Sequence, residues 1–136
     1  MSKRLELKFE RTIAAPPAKV FTAWLNPKVE GTCWHACDEL IFNPKAGQFY
    51  YMRHDVWPHY GRFLKVEKPS RVQLTWMSPN TSGQESMVTV TFKKKGAGTL
   101  MSLIHSNLPN DTGGRAHDEG WNYYMDLFAE QFAKAK

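Results

Sequence analysis

The sequence predicts an α+β fold in which a curved antiparallel sheet of six or seven strands wraps around one long C-terminal helix. Three observations predict it. Strand-like segments follow one another from Glu39 to His105 with short turns between them, as in an antiparallel meander. The helical segments sit before and after that run instead of alternating with strands. The last helix carries an aromatic stripe: at 100° per residue His117, Trp121, Tyr124, Met125, Phe128 and Phe132 fall within a sector of about 100°. Such a face needs an equally apolar surface to cover it. The polar groups within the stripe, His117 and the Tyr124 hydroxyl, need partners or a wet cavity.

Each element has its own justification. Leu5, Leu7, Phe9 and Ile13 alternate with Glu6, Lys8, Glu10 and Thr12, a half-buried strand interrupted by Arg11. Ala14-Ala15-Pro16-Pro17 breaks it, and proline suits the first turn of the helix expected over about residues 16–25. That helix turns Val20, Phe21 and Trp24 to one face and stops at Asn26-Pro27. Residues 27–37 read as a short second helix weakened by Gly31 and Thr32. Strands are then expected over 39–42, 48–54, 61–67, 71–77, 85–93 and 99–105, with a loop from Asn107 to Gly114 and Asp111 or Thr112 as N-cap of the last helix.

Composition bounds the function classes. A chain of 136 residues, 42% of them hydrophobic, is expected to form one domain over residues 1–136 without disulfide or metal staples. No apolar run reaches the roughly 20 residues of a membrane span, and Met1-Ser2-Lys3-Arg4 leads into an alternating segment instead of a leader core, so a cytoplasmic protein is expected. The net charge of +5 is scattered, and Lys93-Lys94-Lys95 sits at a hairpin tip, so no nucleic-acid partner is expected.

The order of elements and its residues resemble a known family. Glu10-Arg11-Thr12-Ile13-Ala14-Ala15-Pro16 leads to Val20-Phe21-x-Ala23-Trp24; Gly61 precedes Val66-Glu67-x-Pro69-x-Arg71-Val72 and Thr75-Trp76; Val88-x-Val90-x-Phe92, Gly98-Thr99, Leu103, His105 and His117-x-x-Gly120-Trp121 follow. Together they are similar to the START/Bet v 1-like superfamily, and within it to proteins related to the heat-shock protein 90 ATPase activator homologue. The resemblance implies a helix-grip fold with a cavity between sheet and C-terminal helix, and no shared catalytic residues. The chain departs from it around Thr32-Cys33-Trp34, where relatives often carry a fuller second helix, and at Ala46-Gly47, where they carry two glycines.

The expected act is binding of a small apolar or amphipathic molecule in that cavity. Trp121, Tyr124, Met125 and Phe128 are the expected helix wall; Phe49, Tyr51, Trp76, Met101 and Leu103 the sheet wall. Arg53, His59 and His105 are the polar contacts, with Arg53 a bidentate anchor for a carboxylate or phosphate, and Trp57-Pro58 belongs to a loop at the mouth. No catalytic residue is assigned: there is no Gly-x-Ser-x-Gly elbow or phosphate-cradling glycine loop, and no cofactor is expected. Cys33-x-His35-x-Cys37 lacks the second ligand pair of a zinc site, so free thiols are expected, although an irregular loop would allow those three side chains to converge. Two rival readings are a small cavity enzyme using histidine, arginine or tyrosine, and a chaperone-linked or other protein-interaction module; a homodimer is compatible with each.

Overall fold

A computed structural model describes residues 4–134. Met1–Lys3, on which the expected absence of a leader partly rests, lie outside the described residues, as do residues 135–136. The elements run β1 (Leu5–Ile13), α1 (Pro17–Trp24), α2 (Cys33–Ala36), β2 (Glu39–Phe42), β3 (Phe49–His54), β4 (Trp57–Glu67), β5 (Arg71–Trp76), a 3-10 turn (Pro79–Thr81), β6 (Ser86–Lys95), β7 (Gly98–Leu108) and α3 (Thr112–Lys134). All seven strands form one antiparallel sheet in the order β1-β7-β6-β5-β4-β3-β2. The expected α+β architecture, a curved sheet gripping a long helix, is the one observed.

The concave face is built from alternate residues of each strand. Tyr50 and Met52 of β3, Phe63 of β4, Val72, Leu74 and Trp76 of β5, Val88 and Val90 of β6, and Met101, Leu103 and His105 of β7 are all buried there. Met125, Phe128 and Phe132 of α3 and Val20, Phe21 and Trp24 of α1 complete the core. Arg11, which breaks the alternation of β1, faces the helix: its Nε donates to Asp126 at 2.8 Å and its guanidinium also donates to Asn122 Oδ1 at 2.8 Å, fastening the sheet edge to α3. Asp111 caps α3, its carboxylate accepting the Gly114 N–H at 2.8 Å.

Several boundaries differ from expectation. β4 begins at Trp57, four residues early, because Asp55-Val56 alone make the turn, with Asp55 in the left-handed region at φ 54°. Trp57-Pro58 is therefore strand and not loop. α2 spans four residues, and Cys37 lies past its end with an extended ψ of 158°, so the two cysteines do not share a helical face. Their thiols are free.

Gly31 fixes how α2 meets α3. Its φ is +93°, and a Cβ there would collide with the Phe128 backbone nitrogen. Only glycine permits that conformation and that approach. Gly31→Ala is expected to destabilise the fold by about 2 kcal/mol or more; a urea midpoint equal to that of the parent would contradict the packing described.

Candidate functional site

The space between sheet and helix is filled along most of its length and opens at one end. A cleft of about 250 Å³ lies at the N-terminal end of α3, lined by Cys33, His54, Trp57, His59, Trp76, Asn80, Ala116, His117, Gly120, Trp121 and Tyr124. Each side arrives for a local reason. The β3–β4 hairpin pairs His54 with Trp57 and Met52 with His59, so His54, Trp57 and His59 point to the concave side. On α3, His117, Gly120, Trp121 and Tyr124 follow the i, i+3, i+4, i+7 spacing of one face. Asn80 is held by the Pro79–Thr81 turn, where Ser78 and Thr81 form a reciprocal capping box. Gly113 lets that turn press onto the helix start: a Cβ there would sit 2.8 Å from the Asn80 carbonyl oxygen.

Behind the cleft, two tryptophan–histidine pairs lock sheet to helix in opposite senses. Trp76 on β5 donates its indole N–H to His117 Nε2 on α3 at 3.3 Å, and Trp121 on α3 donates to His105 Nδ1 on β7 at 3.0 Å. These donors fix the tautomers. His105 Nδ1 accepts, so Nε2 carries the proton and donates to Ser86 Oγ at 2.8 Å. Ser86 in turn donates to the Trp76 carbonyl at 2.6 Å. His117 Nε2 accepts, so Nδ1–H is shared between the Gly113 and Gly114 carbonyls, both at 3.1 Å. The two imidazoles stack edge-on with centroids 4.9 Å apart.

This wiring bears on catalysis. Ser86 beside His105 has the composition of a nucleophile and its base, but the proton flows the wrong way: the histidine donates and the hydroxyl proton is committed to a carbonyl. Ser86 is also 1% exposed, closed to any substrate.

Electrostatically the cleft is a neutral environment. Burial pulls the pKa of His54, His105 and His117 below the ordinary histidine value, His105 well below, and takes His59 down to about 4, with His54 a secondary cause. Burial pushes the Cys33 thiol up and takes Tyr124 up to about 12. His59 also keeps a buried Nδ1 with no hydrogen-bond partner.

The expected site residues divide into three groups. Trp57, His59, Trp76, Trp121 and Tyr124 come together around the cleft. Met101 and Leu103 are fully buried in the core, and Met125 and Phe128 border a crevice with no room for a water molecule. His105 is sealed behind Trp76 and Trp121. Phe49, Tyr51 and Arg53 require a correction: they lie on the outer face of β3, paired with Arg62, Tyr60 and Pro58. Phe49 is 74% exposed, and Arg53 donates to Glu39 of the neighbouring strand at 2.8 Å. Arg53 cannot anchor an anion in the cleft, because a one-residue change of phase moves every side chain to the other face. His117 and Gly120 join the site although the sequence expectation left them out, and each is in phase with Trp121 or Tyr124 on α3; His54 was missed with the phase of β3, since it lies on the face opposite Phe49, Tyr51 and Arg53. Cys33 and Asn80 carry no periodic signal, since each sits in a helical turn of only three or four residues. Among the described residues no group of three or more His, Cys, Asp or Glu side chains converges as a metal site, and His35 instead contacts the Pro27 carbonyl.

A family model described as Activator of Hsp90 ATPase homolog 1-like protein matches residues 14–133. The chain belongs to this family. No curated protein matches it. Among solved structures, MLL2253 from Mesorhizobium loti superposes with a TM-score of 0.81 at 20% identity, covering 97% of this chain and 99% of the other. CV1439 from Chromobacterium violaceum gives 0.77 at 17%, covering 93% and 96%. The Aha1 dimer from Colwellia psychrerythraea, a solution structure, gives 0.75 at 15%, covering 94% and 96%. At these identities the structures establish the shared fold. Among the described residues no helix is long and apolar enough to cross a membrane.

The buried neutral histidines predict a specific acid sensitivity. In the unfolded chain each titrates near pH 6.5, while in the fold its pKa lies lower. Below about pH 6.5 the unfolded state therefore binds more protons, and stability falls with pH until the folded value is passed. Stability is therefore expected to fall between pH 7.5 and 5.0, with His105, the most deeply buried of them, the largest contributor. Equal urea midpoints at those two pH values would show that the histidines are not held neutral.

Proposed function

We propose that this chain binds a small apolar or amphipathic molecule in the cleft between the β3–β4 hairpin and the start of α3. The observation that carries this reading is the 250 Å³ of unfilled space walled by Trp57, Trp76, Trp121 and Tyr124, beside a core that is otherwise packed. Three indoles and a phenol supply large apolar surface with polar tips, the chemistry of small-molecule recognition. Turnover through His105 or His117 has no comparable support, since the nitrogens of both are committed within the protein and His105 is wired against proton abstraction. The free thiols of Cys33 and Cys37 fit a reducing compartment, and we place this activity in the cytoplasm.

Gly120 offers the test. It borders the cleft, and a Cβ there meets nothing within 4 Å. Gly120→Leu should fill the cleft while favouring the helix by up to about 1 kcal/mol. Native mass spectrometry of the purified chain is expected to show a small-molecule adduct that Gly120→Leu lacks. An adduct retained in full by the variant would place the ligand elsewhere.

A second reading, self-association, has its own observation. The outer face carries a cross-strand row of Ile41, Tyr51 and Tyr60, with Phe49 beside it; Ile41 is 70% and Phe49 74% exposed. The relative from Colwellia psychrerythraea is described as a dimer, and this row is where a second copy of the present chain would sit. Sedimentation is expected to give a dimer that Phe49→Lys converts to monomer; a monomeric parent at high micromolar concentration would remove this reading.

A further inference from the structure

Resting on the binding reading above, we infer that the cleft selects an uncharged, planar molecule of one or two rings bearing a hydroxyl group, and rejects carboxylates and phosphates of the same shape. The lining contains no lysine, arginine, aspartate or glutamate. Arg53, the cation nearest in sequence to the lining residues of β3, is on the other side of the sheet and engaged by Glu39. A buried anion would find no countercharge, and unpaired burial of a charge costs far more than burial of a hydroxyl. The titratable lining groups reinforce this, since burial favours the neutral form of His54, His59, His117, Cys33 and Tyr124 alike.

The hydroxyl follows from which polar groups are already spent. The Trp76 and Trp121 N–H groups and both nitrogens of His117 are paired within the protein. His59 is different: its ring lines the cleft and packs against Trp76 at a centroid distance of 5.1 Å. Its Nδ1 is closed off from that space, so its Nε2, which makes no hydrogen bond to another described residue, is the nitrogen left to meet a ligand. His54 lies 5.5 Å from it, centroid to centroid, and 6.2 Å from the Tyr124 ring. An imidazole pair and a phenol at one end of an indole-walled slot match a ligand that both donates and accepts one hydrogen bond. Size follows from volume: an apolar cavity of about 150 Å³ holds benzene, and 250 Å³ takes a one- or two-ring molecule.

The test uses three naphthalene probes of matched shape at pH 7.5 with the full chain: 2-naphthol, neutral at that pH; 2-naphthoate, an anion; and 2-methylnaphthalene. Binding is read from the indole N–H resonances of ¹⁵N-tryptophan-labelled protein. The expected result is shifts at Trp57 and Trp76, with 2-naphthol at least tenfold tighter than 2-naphthoate. His59→Leu should weaken 2-naphthol about fivefold relative to 2-methylnaphthalene. Binding of 2-naphthoate as tight as 2-naphthol, in the unaltered chain, would overturn the selectivity and leave the cleft as a binding site. Failure of all three probes at millimolar concentration would overturn the binding reading itself. Because the decisive comparison is between ligands on the unaltered chain, it stands even where the leucine variant folds poorly.

Discussion

The reciprocal pairing of two tryptophans with two histidines is the constraint on which the site depends. Trp76 reaches from sheet to helix and Trp121 from helix to sheet, each ending on an imidazole nitrogen. A core made only of leucine and isoleucine would hold α3 by shape, and shape tolerates sliding. Directed hydrogen bonds in a buried setting do not, because a shift that breaks one leaves an indole N–H and a ring nitrogen unsatisfied together. The first turns of α3 are therefore set at a fixed height over the sheet, and the gap left beneath them becomes a defined cavity.

The energetic logic differs along the helix. From Met125 onwards its inner face is packed against the sheet and α1, and Gly31 allows backbone contact at Phe128. Towards its start the inner face is tied by hydrogen bonds and borders space. Hydrophobic burial thus secures the far half, and a saturated polar network secures the near half, where apolar filling would have closed the cleft. The same network explains how histidines are accommodated at 0% and 9% exposure: every nitrogen they own is already committed.

Much of this was legible in the sequence. The strand meander, the segregated helices and the stripe from His117 to Phe132 lead to the observed sheet and helix, and Trp121 and Tyr124 are where that stripe puts them. The phase of β3 was not legible, for a specific reason. Gln48–His54 is aromatic on both faces, with Phe49 and Tyr51 on one and Tyr50 on the other, so alternation does not distinguish inside from outside. The usable signal was Arg53, whose charge belongs with solvent and with Glu39 across the strand pair. The location of the cleft depends equally on Cys33 and Asn80, brought in by short helical turns whose path reflects close backbone approaches at Gly31 and Gly113 that no periodicity records.

The orientation of the Ser86–His105–Trp121 chain has one more consequence. Each member donates in a single direction, from Trp121 to His105, from His105 to Ser86 and from Ser86 to the Trp76 carbonyl. Reversing His105 would set two N–H groups head to head at Trp121, and Ser86 would face a ring nitrogen with its own proton already given away. The chain therefore runs one way and ends on a peptide oxygen, so a single tautomer of His105 satisfies every member of it. Whatever occupies the cleft meets a back wall whose polarity is fixed at Trp76, Trp121 and His117, so the adaptable contacts lie elsewhere in the lining, His54, His59 and Tyr124 among them.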